Sequence, residues 1–517
     1  MSGETNERTY ANPILSGFHP DPSLVRVGDD YYMVNSTFQY FPAILISHSK
    51  DLVHWEYIGH GITNSEDIPL TGLPDSFGIW APDISYYNGT FYIFATLRNT
   101  TESGRVNIMM KSSRPEGPYS KPVVINDKGL DPSHFVDDDG THYMVYGSSG
   151  ATLLRLNDEC TEALGEPVTV WKGTGRVSPE GPHVLKKDGY YYILQAEGGT
   201  EYGHCVTMAR SKDLFGPYEE CPHNPVHTQS DRSAAIQRAG HGKLVQTQNG
   251  DWWMVYLAGR PLGGGYCVLG RETCLDPVNW TEDGWISVNE GRGPSDVQAV
   301  PALMQVVYKE PATDDFDAER LSVQWQFVRN PDSEHWSLTE RPGHVRIWTG
   351  DEPLESIDAR NVLVRRERHH HYTAALKLDF TPERGGEQAG LTCYYDSRCF
   401  LQLALTYADG IRLQLTENRA RTLSCLSDIP LESAGVIYLK VEVDKERRAF
   451  YYSRNGEDWS LAGVVPDALF LSDEGTQEKK AFTGTMVGFF ANSGGSGRRI
   501  AADFDWFHYE GRNVSRG

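Results

Sequence analysis

A short strand, a polar turn and an aromatic-rich strand recur five times between residues 21 and 259, and no other feature limits the fold so strongly. The unit reads DPSLVRVGDDYYMVNST from Asp21, APDISYYNGTFYIFATL from Ala81 and DPSHFVDDDGTHYMVYGS from Asp131. It returns as PEGPHVLKKDGYYYILQAEG from Pro179 and GHGKLVQTQNGDWWMVYLAG from Gly240. Each copy is a hairpin signal, apolar and aromatic residues alternating around a tight turn. A second element follows several copies: SKDLVHWEYIG from Ser49, SKDLFGPYEE from Ser211 and a looser SSRPEGPYS from Ser112. Five units at roughly fifty-residue spacing predict five blades of a radial β-propeller. An irregular sandwich with chance similarity would not repeat both halves of the unit in the same order.

The character changes near residue 300. AVPALMQVVYKEPATDDFD carries Pro and acidic residues and reads as a connection. Beyond it, HVRIWTG, AALKLDF, FLQLALTY, IRLQLTE and VIYLKVEVD alternate as strands, and AADFDWFHYEG reads as a closing strand. No long helical pattern appears. The expected chain is all-β: a propeller over 1–305, a linker over 306–313, and a β-sandwich over 314–517 packed against the rim of the site.

With 70 acidic and 48 basic residues, the net charge is -22. Such a surface repels phosphate backbones, so no nucleic-acid partner is expected, whereas a neutral glycan meets no such penalty. The 12 Trp and 27 Tyr suit either a β-rich core or sugar-stacking faces. MSGETNERTYANP has no apolar run of signal-peptide length and no later stretch has the length of a membrane span, so a cytoplasmic protein without a membrane partner is expected. The eight cysteines include no CxxC pair, which disfavours zinc and redox motifs. Free thiols are the expectation, although Cys393 and Cys399 could meet across a hairpin. Gly263 to Gly265 lack the lysine and helix of a phosphate loop, His369 to His371 read as a solvated strand end, and no Gly-x-Ser-x-Gly elbow is present.

In a propeller the innermost strands line a central channel, so equivalent residues of successive repeats converge. Aligning the repeats places Asp21, Asp83, Asp131, Glu180 and His241 near the starts of those strands. Any one Asp-Pro pair can be a turn cap. A turn does not, however, require an acid at the same place in four blades. Convergent carboxylates raise one another's pKa, so that one stays protonated near neutral pH. A protonated acid beside an ionised carboxylate is what glycosidic cleavage requires.

GFHPDPS (17–23), GIWAPDIS (78–85), LDPSHFVDDDG (130–140), SPEGPH (178–183) and AGHGKLV (239–245) resemble glycoside hydrolase family 43. The C-terminal segment resembles the jelly-roll, concanavalin-like sandwich of its β-xylosidase branch. The resemblance implies that Asp21 is the general base, Glu180 the general acid, and Asp131 the third acid that orients Glu180 and raises its pKa. For inversion, Asp21 and Glu180 should stand roughly 6.5 to 9.5 Å apart. His241 resembles a channel histidine associated, through water, with a divalent ion that is often calcium; no cofactor is implied for the chemistry itself. Arg271, in VLGRET, resembles an arginine that binds sugar hydroxyls. Phe38, Trp80, Asp83 and Thr200 complete the expected substrate-binding set.

The implied reaction is exo-cleavage of xylose from β-1,4-xylo-oligosaccharides with inversion. An α-L-arabinofuranosidase acting on arabinoxylan or arabinan is the alternative, alone or combined with the first. The expected partner is a small xylo-oligosaccharide or arabinoxylan fragment, and a homo-oligomer is compatible with the sequence. A retaining fructosidase would call for an Arg-Asp-Pro motif, which is not found. A non-catalytic glycan-binding propeller is the reading from another class. The late loop ANSGGSGRR (491–499) offers no aromatic residue to close a pocket.

Overall fold

Each repeat folds into one antiparallel sheet, and five such sheets form the blades of a propeller. The structure, a computed structural model, describes residues 8–100, 102–478 and 481–512; the ends of the expected domain spans, 1–7 and 513–517, lie outside them. Among the described residues there is no α-helix, only short 3-10 turns. The innermost strands are Ser23–Val27, Gly78–Tyr87, Leu130–Val136, Glu180–Lys187 and Gln237–Gln246. Their turns are the ones the sequence announces. Asn88 and Gly89 have φ of 46° and 81°, and Asp188 and Gly189 have 51° and 77°. Positive φ at both central positions gives the type I′ twist that matches a two-residue hairpin.

Apolar side chains fill all five gaps between neighbouring blades. Val34 and Ile46 of the first blade meet Ile84 and Ile93 of the second, and Phe94 and Met109 of the second meet Met144 and Leu154 of the third. Val145 of the third meets Tyr191 of the fourth, Leu194 and Met208 meet Met254 and Tyr256 of the fifth, and Val255 and Leu275 return to Leu24 and Met33 of the first. The ring is closed by the N-terminal segment. Thr9–Ala11 pairs with Val297–Ala299, and buried Asn12 donates from Nδ2 to Leu275 O at 2.8 Å and Ser295 O at 3.0 Å while accepting from Leu275 N at 2.9 Å.

The C-terminal half is a sandwich of two eight-stranded sheets around one large apolar core that includes Trp325, Leu376, Leu403, Phe489 and Phe507. Its boundary with the propeller is crossed by a strand. Tyr40–Phe41, from the first blade, pairs with Gln326–Val328 at the edge of one sandwich sheet. Arg329 donates to Leu73 O and to Asp75 Oδ1, both at 2.8 Å, and Asn330 Oδ1 accepts from Leu70 N at 2.6 Å. The propeller loop that leads to Trp80 is therefore fastened by the other domain. The connecting stretch also packs down, with Val306 N donating to Asp51 Oδ2 at 3.0 Å.

All eight cysteines are free. Cys399 stands opposite Asp396 and Cys393 opposite Leu401, so the hairpin register keeps the two thiols apart. His369 to His371 lead into the strand His371–Phe380, with His369 exposed.

Asn12→Ala would leave a buried peptide N–H and two carbonyls of the closing blade short of a partner, each costing about 1–3 kcal/mol when unsatisfied. A loss of roughly 2 kcal/mol or more is expected from the urea midpoint; a change below about 0.5 kcal/mol would contradict this role for ring closure.

Candidate active site

At the start of every inner strand one residue leaves the regular ladder. The positions are Asp21 (φ 52°), Ala81 (35°), Asp131 (53°), Gly181 (56°) and His241 (50°). Pro follows four of them, at 22, 82, 132 and 182. Proline has no N–H for the ladder, so an interruption there sacrifices nothing the residue could supply. The pairing register shifts at this point in blades two to five. Such bulges re-aim side chains beside active sites, and left-handed backbone at non-glycine residues costs of order 1–3 kcal/mol each.

This register corrects the sequence alignment. Glu180 precedes the bulged position by one residue, and Gly181 occupies it because the ring of His241 lies where a side chain would go: a Cβ there would be 2.7 Å from His241 Cε1. Asp83 lies two residues past its bulge, in the row formed by Ser23, Ser133, His183 and Lys243. The cavity at the propeller mouth, about 390 Å³, is lined by Asp21, Phe38, Trp80, Ala81, Leu130, Asp131, Glu180, Thr200, His241, Arg271 and Phe482. Three of the four expected carboxylates share it, together with His241, Arg271, Thr200, Phe38 and Trp80. Asp83 does not line it.

The three acids are held differently. Asp21 is 5% exposed; Arg271 Nη1 donates to its Oδ1 at 3.0 Å. Ser36 Oγ accepts from Ala81 N at 2.7 Å and so directs its own proton to Asp21 Oδ2 at 2.6 Å. Burial pushes the Asp21 carboxyl up, but Arg271, His241 and Ser36 outweigh it and hold it below the usual range. Asp131 is fixed through its backbone N–H, which donates to Thr96 Oγ1 at 2.8 Å. Burial, then Glu180 and Asp21, drive the Asp131 carboxyl well above the usual range. Glu180 is pushed up to about 7 by burial and the Asp21 carboxylate. The two form one coupled pair that retains a proton at neutral pH, beside an ionised Asp21. Of the two, Glu180 is the less buried.

Arg271 is buried between two rings, 5.5 Å from the centre of Phe38 and 5.7 Å from that of Phe482. Besides Asp21 it reaches Thr200 Oγ1 at 3.3 Å and Phe482 O at 3.1 Å. Phe482 was not anticipated. It comes from the sandwich, in a segment before Met486–Asn492, and its N–H donates to Ser76 Oγ at 3.1 Å. Its ring packs edge-on to Trp80 at 5.7 Å and tilted to Phe38 at 6.1 Å, forming an aromatic wall of the cavity. The ring comes from ahead of the 491–499 loop, where no periodic signal marks a single Phe in a polar stretch.

The row of inner-strand residues that holds Asp83, beneath the cavity, does not fit a divalent ion. Asp83 is paired with the Lys243 ammonium, accepts from Ser23 Oγ at 2.6 Å and from His134 N at 2.9 Å. Lys243 Nζ also donates to Ser23 Oγ at 2.8 Å and Ile84 O at 3.3 Å. A side-chain cation thus occupies the acceptors that a metal would need, and burial holds His241 below its usual range. The expected calcium linked to His241 through water has no free carboxylate in this layer.

Residues 10–286 match the family model for glycosyl hydrolases family 43, and 313–510 match the β-xylosidase C-terminal concanavalin A-like domain. The chain is similar to a GH43 protein from Bacillus licheniformis, known from its crystal structure (60% identity, TM-score 0.95, 98% of this chain and 100% of that one). It is also similar to the crystal structure of a xylan β-1,4-xylosidase from Bacillus halodurans (40%, TM-score 0.93, 97% and 99%). A non-reducing end α-L-arabinofuranosidase from Bacteroides ovatus is 36% identical over 97% of this chain and 95% of its own.

Because Lys243 supplies the cation, exhaustive chelation is expected to leave the melting temperature unchanged in calorimetry. A drop that added calcium reverses would contradict this account, since a bound ion stabilises the folded state by mass action.

Proposed function

The chain belongs to glycosyl hydrolase family 43 and is a glycosidase, and on that premise we propose an inverting exo-hydrolase that releases xylose from the non-reducing ends of β-1,4-xylo-oligosaccharides. The observation that carries the proposal is one cavity holding an arginine-paired, ionised Asp21 and a protonated Asp131–Glu180 pair. In the proposed reaction Asp21 accepts a proton from water as the water oxygen bonds to the anomeric carbon. The bond from that carbon to the leaving oxygen breaks, and Glu180 gives its proton to that oxygen. Asp131 acts through Glu180, its charge disfavouring loss of the Glu180 proton. Arg271 keeps Asp21 ionised and, with Thr200, presents donors for sugar hydroxyls. Phe38, Trp80 and Phe482 offer faces on which a pentose ring can pack.

The exo character is supported by the wall that Phe482 builds from the sandwich, which narrows one side of the cavity. The Bacillus halodurans relative favours xylose and a 1,4-linkage. The Bacteroides ovatus relative favours arabinofuranose, and nothing in the three acids separates the two pentoses. Comparing kcat/KM on nitrophenyl β-xyloside and nitrophenyl α-arabinofuranoside, with product analysis on xylobiose, tests the assignment. A preference for the arabinofuranoside would transfer it to the second reading.

Glu180→Ala is expected to lower kcat/KM on xylobiose by about 10²–10⁴-fold and to harm nitrophenyl xyloside far less, because a good leaving group needs no proton. Equal losses on both would count against Glu180 as the acid. Asp21→Ala should depress both substrates alike.

The pH dependence follows from the two environments. Asp21, held low, loses activity only as pH falls through a value below the usual carboxylate range. Glu180, pushed up to about 7, loses its proton as pH rises through that value, which sets the alkaline limb. Asp131→Asn removes a negative charge beside Glu180, so the alkaline limb of kcat/KM should move to lower pH. A limb that stays in place or moves upward would show that Asp131 does not act on the Glu180 proton.

A further inference from the structure

Phe482 reaches the cavity from a stretch of the sandwich between Leu471 and Thr485, whose ends meet where Thr485 Oγ1 donates to Leu471 O at 2.7 Å. Its later part is fastened beside the cavity, through Ser76 and Arg271. Its earlier part is fastened elsewhere. Glu474, in the 3-10 turn Glu474–Thr476, accepts through Oε2 from Cys267 N of the propeller at 3.1 Å and through Oε1 from Arg238 Nη2. Arg238 Nη1 also donates to Asp473 Oδ2 at 3.4 Å. The other oxygen of Asp473 accepts from the Tyr395 hydroxyl, within the sandwich, at 3.0 Å.

Arg238 does not line the cavity. It belongs to the inner strand Gln237–Gln246 of the fifth blade, three residues before His241, and is buried. Its backbone has φ 62°, and the ladder shifts register between Gln237 and Gly240. A left-handed backbone is costly for a residue with a Cβ, and such interruptions re-aim side chains. Here the guanidinium ends on two carboxylates of the other domain. Burial and Glu474 push the Asp473 carboxyl up to about 7, against the pull of Arg238. Near neutral pH the cation is therefore met by Glu474 and a partly ionised Asp473. Cys267, the other partner of Glu474, begins the segment that ends at Arg271. That segment packs backbone to backbone on the residues after Phe482. Thr485 N donates to Val268 O at 3.0 Å, and a Cβ on Gly484 would stand 2.5 Å from Leu269 O.

Glu474 thus joins the cation of the fifth blade to the segment that runs beside Phe482. We infer that Arg238 is a positioning residue for the sugar: by holding Glu474 it keeps the Phe482 ring against Trp80 and Phe38, so the width of the pentose site is set in part by an ion pair outside it. The inference rests on the cavity being the pentose site. Without the guanidinium, Asp473 and Glu474 would face each other with no counter-charge at the junction, and their repulsion would move the turn off the propeller. The ring packs on the sugar and touches no reacting atom. Its displacement therefore weakens ground state and transition state alike, which raises KM and spares kcat.

The test is a double-mutant cycle of Arg238→Gln and Phe482→Ala, run on whichever nitrophenyl pentoside the wild-type protein hydrolyses with the higher kcat/KM. A preference for the arabinofuranoside would then revise the substrate assignment and leave the cycle valid. Each single variant is expected to raise KM about fivefold or more, with kcat within about twofold of wild type. The double variant should exceed Phe482→Ala in KM by less than about twofold, because a residue acting through another adds little once that other is gone. The acid limb of kcat/KM should stay in place, since the Arg271–Asp21 pair is untouched. If Arg238→Gln does not fold, Glu474→Gln takes its place in the cycle with the same expectation. KM effects that multiply, or an unchanged KM in the single variant, would overturn the inference. So would a displaced acid limb, which would put the effect on Arg271 and Asp21 instead of the wall.

Discussion

Three carboxyl groups in one cavity cannot all be ionised, and Arg271 decides which of them is. Its guanidinium bonds Asp21 and not the other two acids, so the charge settles on Asp21 while burial and repulsion leave a proton on the Asp131–Glu180 pair. The same side chain reaches Thr200 and the carbonyl of Phe482, and lies between the rings of Phe38 and Phe482. One buried cation therefore sets the protonation pattern and joins the propeller floor to the wall supplied by the sandwich.

That junction explains why the second domain belongs to the site. Tyr40–Phe41 runs as an edge strand of the sandwich two residues after Phe38, and Arg329 and Asn330 hold the loop that precedes Trp80. Displacing the sandwich would release Phe482 and loosen both aromatic residues of the propeller rim. In the channel, Lys243 gives Asp83 a partner that travels with the chain. A tethered ammonium provides charge compensation without an exchangeable ion, and its reach to Ser23 and Ile84 O links the fifth blade to the first two.

Much of this was legible in the sequence because propellers repeat. The type I′ turns at Asn88–Gly89 and Asp188–Gly189 and the five aromatic strands define the blades, and Asp21, Asp131 and Glu180 fall near the blade starts. The alignment erred by one residue at Glu180 and by two at Asp83, because a bulge changes which side chain faces inward and only backbone geometry reveals it. Lys243 stands within AGHGKLV, and a lysine on an inner strand needs a buried acid beside it. Phe482 was beyond reach. It belongs to no repeat, and its partners Ser76 and Trp80 are some four hundred residues away in the chain.

The central claim is that Asp21 activates water on one face of the sugar while Glu180 protonates the leaving oxygen on the other. Proton NMR of the first turnovers on a β-xyloside observes this directly, before the released sugar mutarotates. The account predicts that α-xylose appears first and the β anomer follows only by equilibration. β-Xylose as the first product would mean a covalent intermediate on one of these carboxylates, and would contradict it.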